Sequence, residues 1–284
     1  MKTPSLQIPP GLVVVTYGGG VNTIANLVLL RRLGVIPQAI VMADPGHEWK
    51  QTIEYRDGPM REWCERAGFP PIVVVTRMGL LSGRRGGKNY ETLGGLCERT
   101  KSLPSVSYGP KNKKCSDNYK ARPSRWWIGL QQWARDEWAA GRKIVKCIGF
   151  DADEPGRIRP GFNDPLENSQ YVPWYPLFDA GIDRDGCERL IVDEGLAIPH
   201  KSSCKWCPNN QLEEWIELRD TDPEGFAEGV EMSRRAEATI ENPEMVGLMR
   251  CFPHGRRQLH VWVDRGCPKD GMGREEQMPC ECAL

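Results

Sequence analysis

The chain has 284 residues, enough for one large domain or a domain with a smaller module. Its 38 Lys+Arg balance 38 Asp+Glu, so no net field draws in nucleic acid, and only a local basic patch would do so. No stretch approaches the ~18 apolar residues of a membrane span. The opening MKTPSLQIPPG lacks a signal peptide's apolar centre. The 11 cysteines are odd in number and scattered, which reads as free thiols, metal ligands or catalytic groups in a reducing compartment. The expectation is a cytoplasmic protein with no membrane partner.

Leu12 to Thr16 is a short apolar, β-branched run and reads as a buried strand. Gly18, Gly19 and Gly20 follow, and then a helical stretch with Ile24, Leu27, Val28, Leu30 and Leu33 on one side, stopped by Gly34. Strand, glycine loop and helix start form a natural phosphate site, because the backbone is bare and the helix presents unpaired N–H groups. A tight turn with no ligand has the same spelling. Gln38 to Ala43 reads as a second strand and Asp44-Pro45-Gly46 as the turn at its carboxyl end. Residues 47–67 read as one helix closed by Gly68, and 71–76 as a third strand. This alternation predicts an α/β fold, a doubly wound and mostly parallel sheet that takes its ligand at the strands' carboxyl ends.

Residues 77–125 interrupt the pattern with glycines and with Arg77, Arg84, Arg85, Lys88, Lys101, Lys111, Lys113, Lys114, Lys120, Arg122 and Arg125. Such a stretch is either a solvated insertion or a basic lid over an anion, and it is also where nucleic acid would dock. Trp126, Trp127, Leu130 and Trp133 mark an amphipathic helix, and 143–150 a fourth strand ending in DADEPGR. Pro and aromatic residues dominate after 160. The expected division is a nucleotide-binding α/β domain over 1–160, carrying the 77–125 insertion, and a smaller cysteine-bearing segment over 161–284. Asp183 is the expected cap of a short helix, and a charged helix begins near Leu212.

Cys204-Lys-Trp-Cys207-Pro spaces two thiols to grip one metal, as in zinc and iron–sulfur sites. A redox pair and coincidence in a cysteine-rich chain are the competing explanations. Further ligands are sought in Cys115, which lies in a basic stretch, and in Cys280 and Cys282 of the terminal PCECAL. Cys64, Cys97, Cys147 and Cys187 sit among apolar neighbours as core fillers. Asp44, Glu48, Asp153 and Glu154 lie at strand ends, where they would hold Mg²⁺ between phosphates or simply form turns. Arg157 would pair with a phosphate or sulfate, or stand exposed. The four histidines lack ligand spacing and read as structural.

Taken together, five segments resemble the adenine-nucleotide PP-loop (alpha-hydrolase-like) superfamily, in its phosphoadenosine phosphosulfate (PAPS) reductase-like branch. TYGGGVNT resembles the SGGxDS loop, ADPGHEW the DTGxE segment, and KCSDNYKARP the C-T-x-x-x-K-x-x-P motif. GFDADEPGR resembles the G-x-R-x-x-E-S-x-x-R region. KSSCKWCP resembles the C-x-x-C-P of iron–sulfur members, including ATP pyrophosphatases of DNA phosphorothioation. The chain departs from the pattern at Tyr17, at Asn22-Thr23 in place of Asp-Ser, at Asp151 in place of Arg and at Pro155 in place of Ser.

The resemblance implies a PP-loop/HUP-like fold that binds PAPS, APS or ATP through Tyr17, Gly18, Gly19, Gly20, Asn22, Thr23, Asp44, Gly149, Asp153 and Glu154. It implies an iron–sulfur cluster, 4Fe-4S with zinc as the alternative, on Cys115, Cys204, Cys207 and Cys280. Two reactions are compatible. In sulfonucleotide reduction Cys282 attacks the sulfate sulfur, Arg157 serves the anion, and a thiol reductant releases sulfite. In the other, Mg²⁺–ATP is cleaved at the α-phosphate, and an acceptor such as a nucleic acid is adenylated for sulfur modification. A non-catalytic module that binds nucleotide or nucleic acid is the reading from another class.

Overall fold

The computed structural model describes residues 6–77, 92–104, 115–238, 248–251, 255–257, 259–264 and 266–267. Five strands form one all-parallel sheet: β1 (Val13–Thr16), β2 (Ala39–Asp44), β3 (Ile72–Thr76), β4 (Ile144–Cys147) and β5 (Tyr171–Trp174). Their order is β3-β2-β1-β4-β5. The chain steps outward from β1 to β3, then returns to lay β4 on the other side of β1. The order therefore reverses between β1 and β4, and a crevice opens at their carboxyl ends.

Helices cover both faces of the sheet, because successive strand side chains point to opposite sides. Val13 and Val15 join the core made with α1 (Val21–Arg32), whereas Val14 joins the core on the other face. Between β2 and β3 lie α2 (Lys50–Tyr55) and α3 (Arg61–Ala67). The expected single helix over 47–67 is thus broken by a π-turn at Arg56–Met60, where Pro59 supplies no N–H to an α ladder. Gly68 ends α3 in the left-handed region, as its spelling suggests. After β3 come α4 (Leu93–Thr100), α5 (Arg122–Leu130) and α6 (Gln132–Ala139). The tryptophan-marked helix is therefore two, parted at an extended Gln131.

The sheet continues past residue 160. After α7 (Pro165–Gln170), β5 pairs with β4 through Tyr171, Val172, Pro173 and Trp174. A proline in such a run disguises a strand, and Pro173 is accommodated because β5 lies at the sheet's edge. α8 (Pro176–Asp179) and α9 (Arg184–Asp193) then return to pack on α1. Asp183 caps α9 by accepting the Gly186 N–H at 2.7 Å.

A second core is assembled from both parts of the chain. Trp49, Leu93, Cys97 and Tyr119 pack with Trp206 and with residues of α10 (Leu212–Thr221), α11 (Pro223–Glu237) and α12 (Leu259–Asp264). A short antiparallel ladder, β6 (Met249–Cys251) with β7 (Gly255–Arg257), precedes α12. The cysteine-bearing segment is thereby packed against the turn that follows β2. Among the described residues no helix is long and apolar enough to cross a membrane.

Candidate active site

Gly18 to Gly20 run from the end of β1 into α1. Gly20 caps α1 without a side-chain hydrogen bond, and the first turn holds no acid. The Thr23 and Ile24 N–H groups both turn back to the Gly20 carbonyl, at 3.1 and 3.2 Å. Gly19 has φ +81, and a Cβ there would lie 2.7 Å from Thr52 Cγ2 and 3.2 Å from Ser202 Oγ. The third wall of the loop is thus Ser202, whose hydroxyl donates to the Gly18 carbonyl. The Gly18 N–H donates to Thr23 Oγ1 at 3.3 Å. The Tyr17 ring is buried in the core with α1, and burial pushes its phenol far above the ordinary range.

A cavity of about 400 Å³ opens at the switch point between β1 and β4. Its lining takes in Gly18, Gly20, Asn22 and Thr23 on the loop side, with Gly149, Asp153, Glu154 and Arg157 beyond β4. The two sides meet closely: a Cβ on Gly149 would stand 2.9 Å from the Asn22 carbonyl oxygen. Asn22 Nδ2 donates to Asp151 Oδ2 at 2.9 Å and to Glu154 Oε2 at 3.1 Å. Position 22 thus carries an amide, and acids face it from positions 151 and 154. Burial, and next the neighbouring Glu154 charge, raise the Asp151 carboxyl above its usual value. Two acids this close favour a shared cation.

Arg157 is engaged within the protein. It meets Glu154 Oε1 at 2.5 Å and lies 3.8 Å over the Phe150 ring. On the opposite flank, Lys146 of β4 also lines the cavity, although it is only 2 % exposed. Its ammonium pairs with Glu167, whose other oxygen takes Arg125 at 2.7 Å. Burial holds the Lys146 ammonium below its ordinary pKa, against the pull of Glu167.

The cysteines come next to this cavity through a short two-strand contact. The Lys205 N–H donates to the His47 carbonyl at 2.8 Å and the Trp49 N–H to the Ser203 carbonyl at 3.4 Å, with Glu48 bridged to Cys204 between them. The His47 ring packs on Trp206 at 4.5 Å, and its Nε2 lies 2.9 Å from Thr92 Oγ1. Cys204 and Cys207 hydrogen-bond through their thiols, and Cys115 is near enough to act on Cys204 electrostatically. The Cys207 bond lowers the Cys204 pKa, but burial with the Cys115 and Glu48 charges leaves it raised overall, against a lowering by Lys120. Lys120 Nζ meets Glu48 Oε1 at 3.2 Å, and both residues line the cavity. One ion pair thus joins the cavity to the cysteine side.

Other expected residues lie elsewhere. Asp44 is absent from the cavity lining, and its carboxylate accepts the Gly46 N–H at 2.6 Å, a turn-forming role. Cys280 and Cys282 fall outside the described residues, as do Arg84, Arg85, Lys88, Lys111, Lys113 and Lys114 of the basic stretch. Within that stretch, Lys120 pairs with Glu48, Arg122 with Asp117, and Arg125 with Asp164 and Glu167. Cys64, Cys97, Cys147 and Cys187 are buried as core thiols. Lys146, Arg184, Lys201 and Ser202 line the cavity without any motif that marks them. Their only cue is adjacency, Lys201 and Ser202 standing just before Cys204.

No protein-family model and no curated protein matches the chain. Among solved structures it is similar to the U34-tRNA thiolase NcsA from Methanococcus maripaludis with its [4Fe-4S] cluster, at 12 % identity and a TM-score of 0.37, over 93 % of this chain and 84 % of that one.

Proposed function

We propose that the chain is an adenine-nucleotide PP-loop enzyme of the PAPS reductase-like kind that cleaves ATP at the α-phosphate and serves sulfur transfer. The observation that carries this reading is the cavity at the β1/β4 switch point. It has a bare glycine loop and helix start on one side and the Asp151–Glu154 pair on the other. ATP fits that lining better than a sulfonucleotide does. An acid pair suits a triphosphate that arrives with Mg²⁺, and it repels a bare sulfate.

In the reaction, an acceptor oxygen attacks the α-phosphorus and forms a new P–O bond. The bond to the bridging oxygen of the β-phosphate breaks, and pyrophosphate leaves with the electron pair. The glycine loop and the Val21 and Asn22 end of α1 receive the leaving charge. Asn22 holds Asp151 and Glu154 together, and these two acids would hold Mg²⁺, which would offset the charge of the phosphates. The acceptor proposed is a nucleic acid, docked by the 77–125 region.

Three thiols, Cys115, Cys204 and Cys207, suit an iron–sulfur cluster or zinc in donor chemistry. The Cys207 hydrogen bond and the Lys120 ammonium pull Cys204 toward the thiolate, but burial and the Cys115 and Glu48 charges leave its pKa raised overall. Among the described residues no group of three or more His, Cys, Asp or Glu is placed to hold one metal ion, so these thiols alone do not form a complete site. We take the cluster as the occupant, with Cys280 as its fourth ligand, and the chemistry it supplies is the handling of sulfur. Cys204→Ser is expected to lose most iron and sulfide from anaerobically purified protein while retaining ATP binding. Full iron content in the variant would remove the cluster assignment. The reaction itself is tested with α-labelled ATP, Mg²⁺ and bulk RNA or DNA. AMP and pyrophosphate released in step with labelled polymer support it, and intact ATP with every polymer counts against it.

A further inference from the structure

We propose that Lys201, carried on the cysteine segment, binds the polyphosphate of the nucleotide and is held in reserve by Glu214. This inference rests on the nucleotide reading above and adds a residue that no motif supplied. Ser202 lies directly on the glycine loop: its hydroxyl donates to the Gly18 carbonyl, and its Cβ would be 3.7 Å from a Cβ on Gly20. Lys201, one residue earlier, lines the same cavity, with its side chain 32 % exposed. Its ammonium meets Glu214 Oε2 at 2.7 Å and the Asn209 carbonyl at 3.4 Å.

The other cations of the cavity face different partners. Lys146 is bound to Glu167, Lys120 to Glu48, and Arg157 to Glu154. Arg184 leans on the acid wall, with its N–H to Asp153 at 3.0 Å and its guanidinium to Asn22 at 3.4 Å. Lys201 is the cation joined by one peptide bond to the residue that covers the glycines.

Its counterion is built to release it. Glu214 Oε2 also accepts the Gln211 N–H at 2.7 Å, as part of the capping box that starts α10. The carboxylate therefore keeps a hydrogen bond when the lysine leaves. A polyphosphate offers several negative oxygens against this single carboxylate, so the ammonium transfers to it. Cys204 lies three residues further along the same segment.

The test is calorimetry on the full chain, with Mg²⁺–pyrophosphate and adenosine as separate probes, for wild type, Lys201→Met and Glu214→Gln. Lys201→Met is expected to weaken pyrophosphate about tenfold or more, the loss of one charge-assisted hydrogen bond, with adenosine affinity unchanged. Glu214→Gln retains the cap and is expected to tighten pyrophosphate severalfold. Equal pyrophosphate affinity in wild type and Lys201→Met overturns the inference while leaving the nucleotide reading intact. A wild type that binds neither probe overturns that reading, and the inference with it. If Lys201→Met loses adenosine as well, Glu214→Gln decides: tighter pyrophosphate supports the role, and unchanged or weaker binding overturns it.

Discussion

Gly19→Val is expected to abolish ATP binding, with a loss of more than about a hundredfold. Two independent effects act at this position. A β-branched residue at φ +81 is strained by about 1–3 kcal/mol. Its Cβ would also stand 2.7 Å from Thr52 Cγ2 and 3.2 Å from Ser202 Oγ. Relief of that crowding moves Ser202 off the Gly18 carbonyl and opens the loop. Gly34→Ala is the control. Gly34 has φ +70 with nothing within 4 Å of the added Cβ, so it carries backbone strain without crowding. That variant is expected to lose modest stability and to bind ATP as wild type does. Calorimetry with Mg²⁺–ATP and a thermal scan on both variants separate the two effects. Wild-type affinity in Gly19→Val would mean the loop is only a turn.

Lys120→Met is expected to cost about 3–5 kcal/mol of stability, because it strands a buried carboxylate. Glu48 is 3 % exposed, and neither of its oxygens accepts a hydrogen bond among the described residues. The Lys120 ammonium at 3.2 Å is its compensation. The double variant Glu48→Gln/Lys120→Met is expected to recover most of the loss, since it removes the charge together with its partner. Urea unfolding of the wild type, both single variants and the double variant measures the coupling. Additive losses would show that the pair does not act as a unit. The same change is expected to lower iron retention, because the Lys120 charge is one of the influences that favour the Cys204 thiolate.

The parallel sheet was legible because its central strands β1 and β2 are largely buried and so are spelled as unbroken apolar runs, VVVT and AIVMAD. β5 was not legible. Tyr171–Trp174 contains Pro173, which only an edge position tolerates, and edge position is a property of the assembled sheet. The π-turn at Pro59 was hidden for the opposite reason: a helical period runs on both sides of it, so the pattern reads as continuous. The boundary expected near 160 followed a change in composition. That change marks where the sheet gains its edge strand, and the chain does not leave the sheet there.

At the site, glycines and the C-x-x-C-P carried a spelling because backbone access and paired thiols each demand a residue type at fixed spacing. Lys146, Lys201 and Ser202 had no such spelling, since they reach the cavity from two distant parts of the chain, β4 and the segment before Cys204. Asp44 shows the converse. A carboxylate before Pro-Gly reads equally as a metal ligand or a turn former, and its hydrogen bond to the Gly46 N–H is that of the turn. The meeting of Asn22 with Asp151 was invisible as a pair, because 129 residues separate them.

The most direct test of the nucleotide assignment is a paired calorimetric titration of anaerobically purified protein with Mg²⁺–ATP and with PAPS, with products analysed at the end point. An acid-lined cavity behind a glycine loop predicts preferential ATP binding that depends on Mg²⁺, without sulfite release. Preferential PAPS binding with sulfite formed would make the chain a reductase and contradict the ATP mechanism, and binding of neither would leave the glycine loop without a ligand.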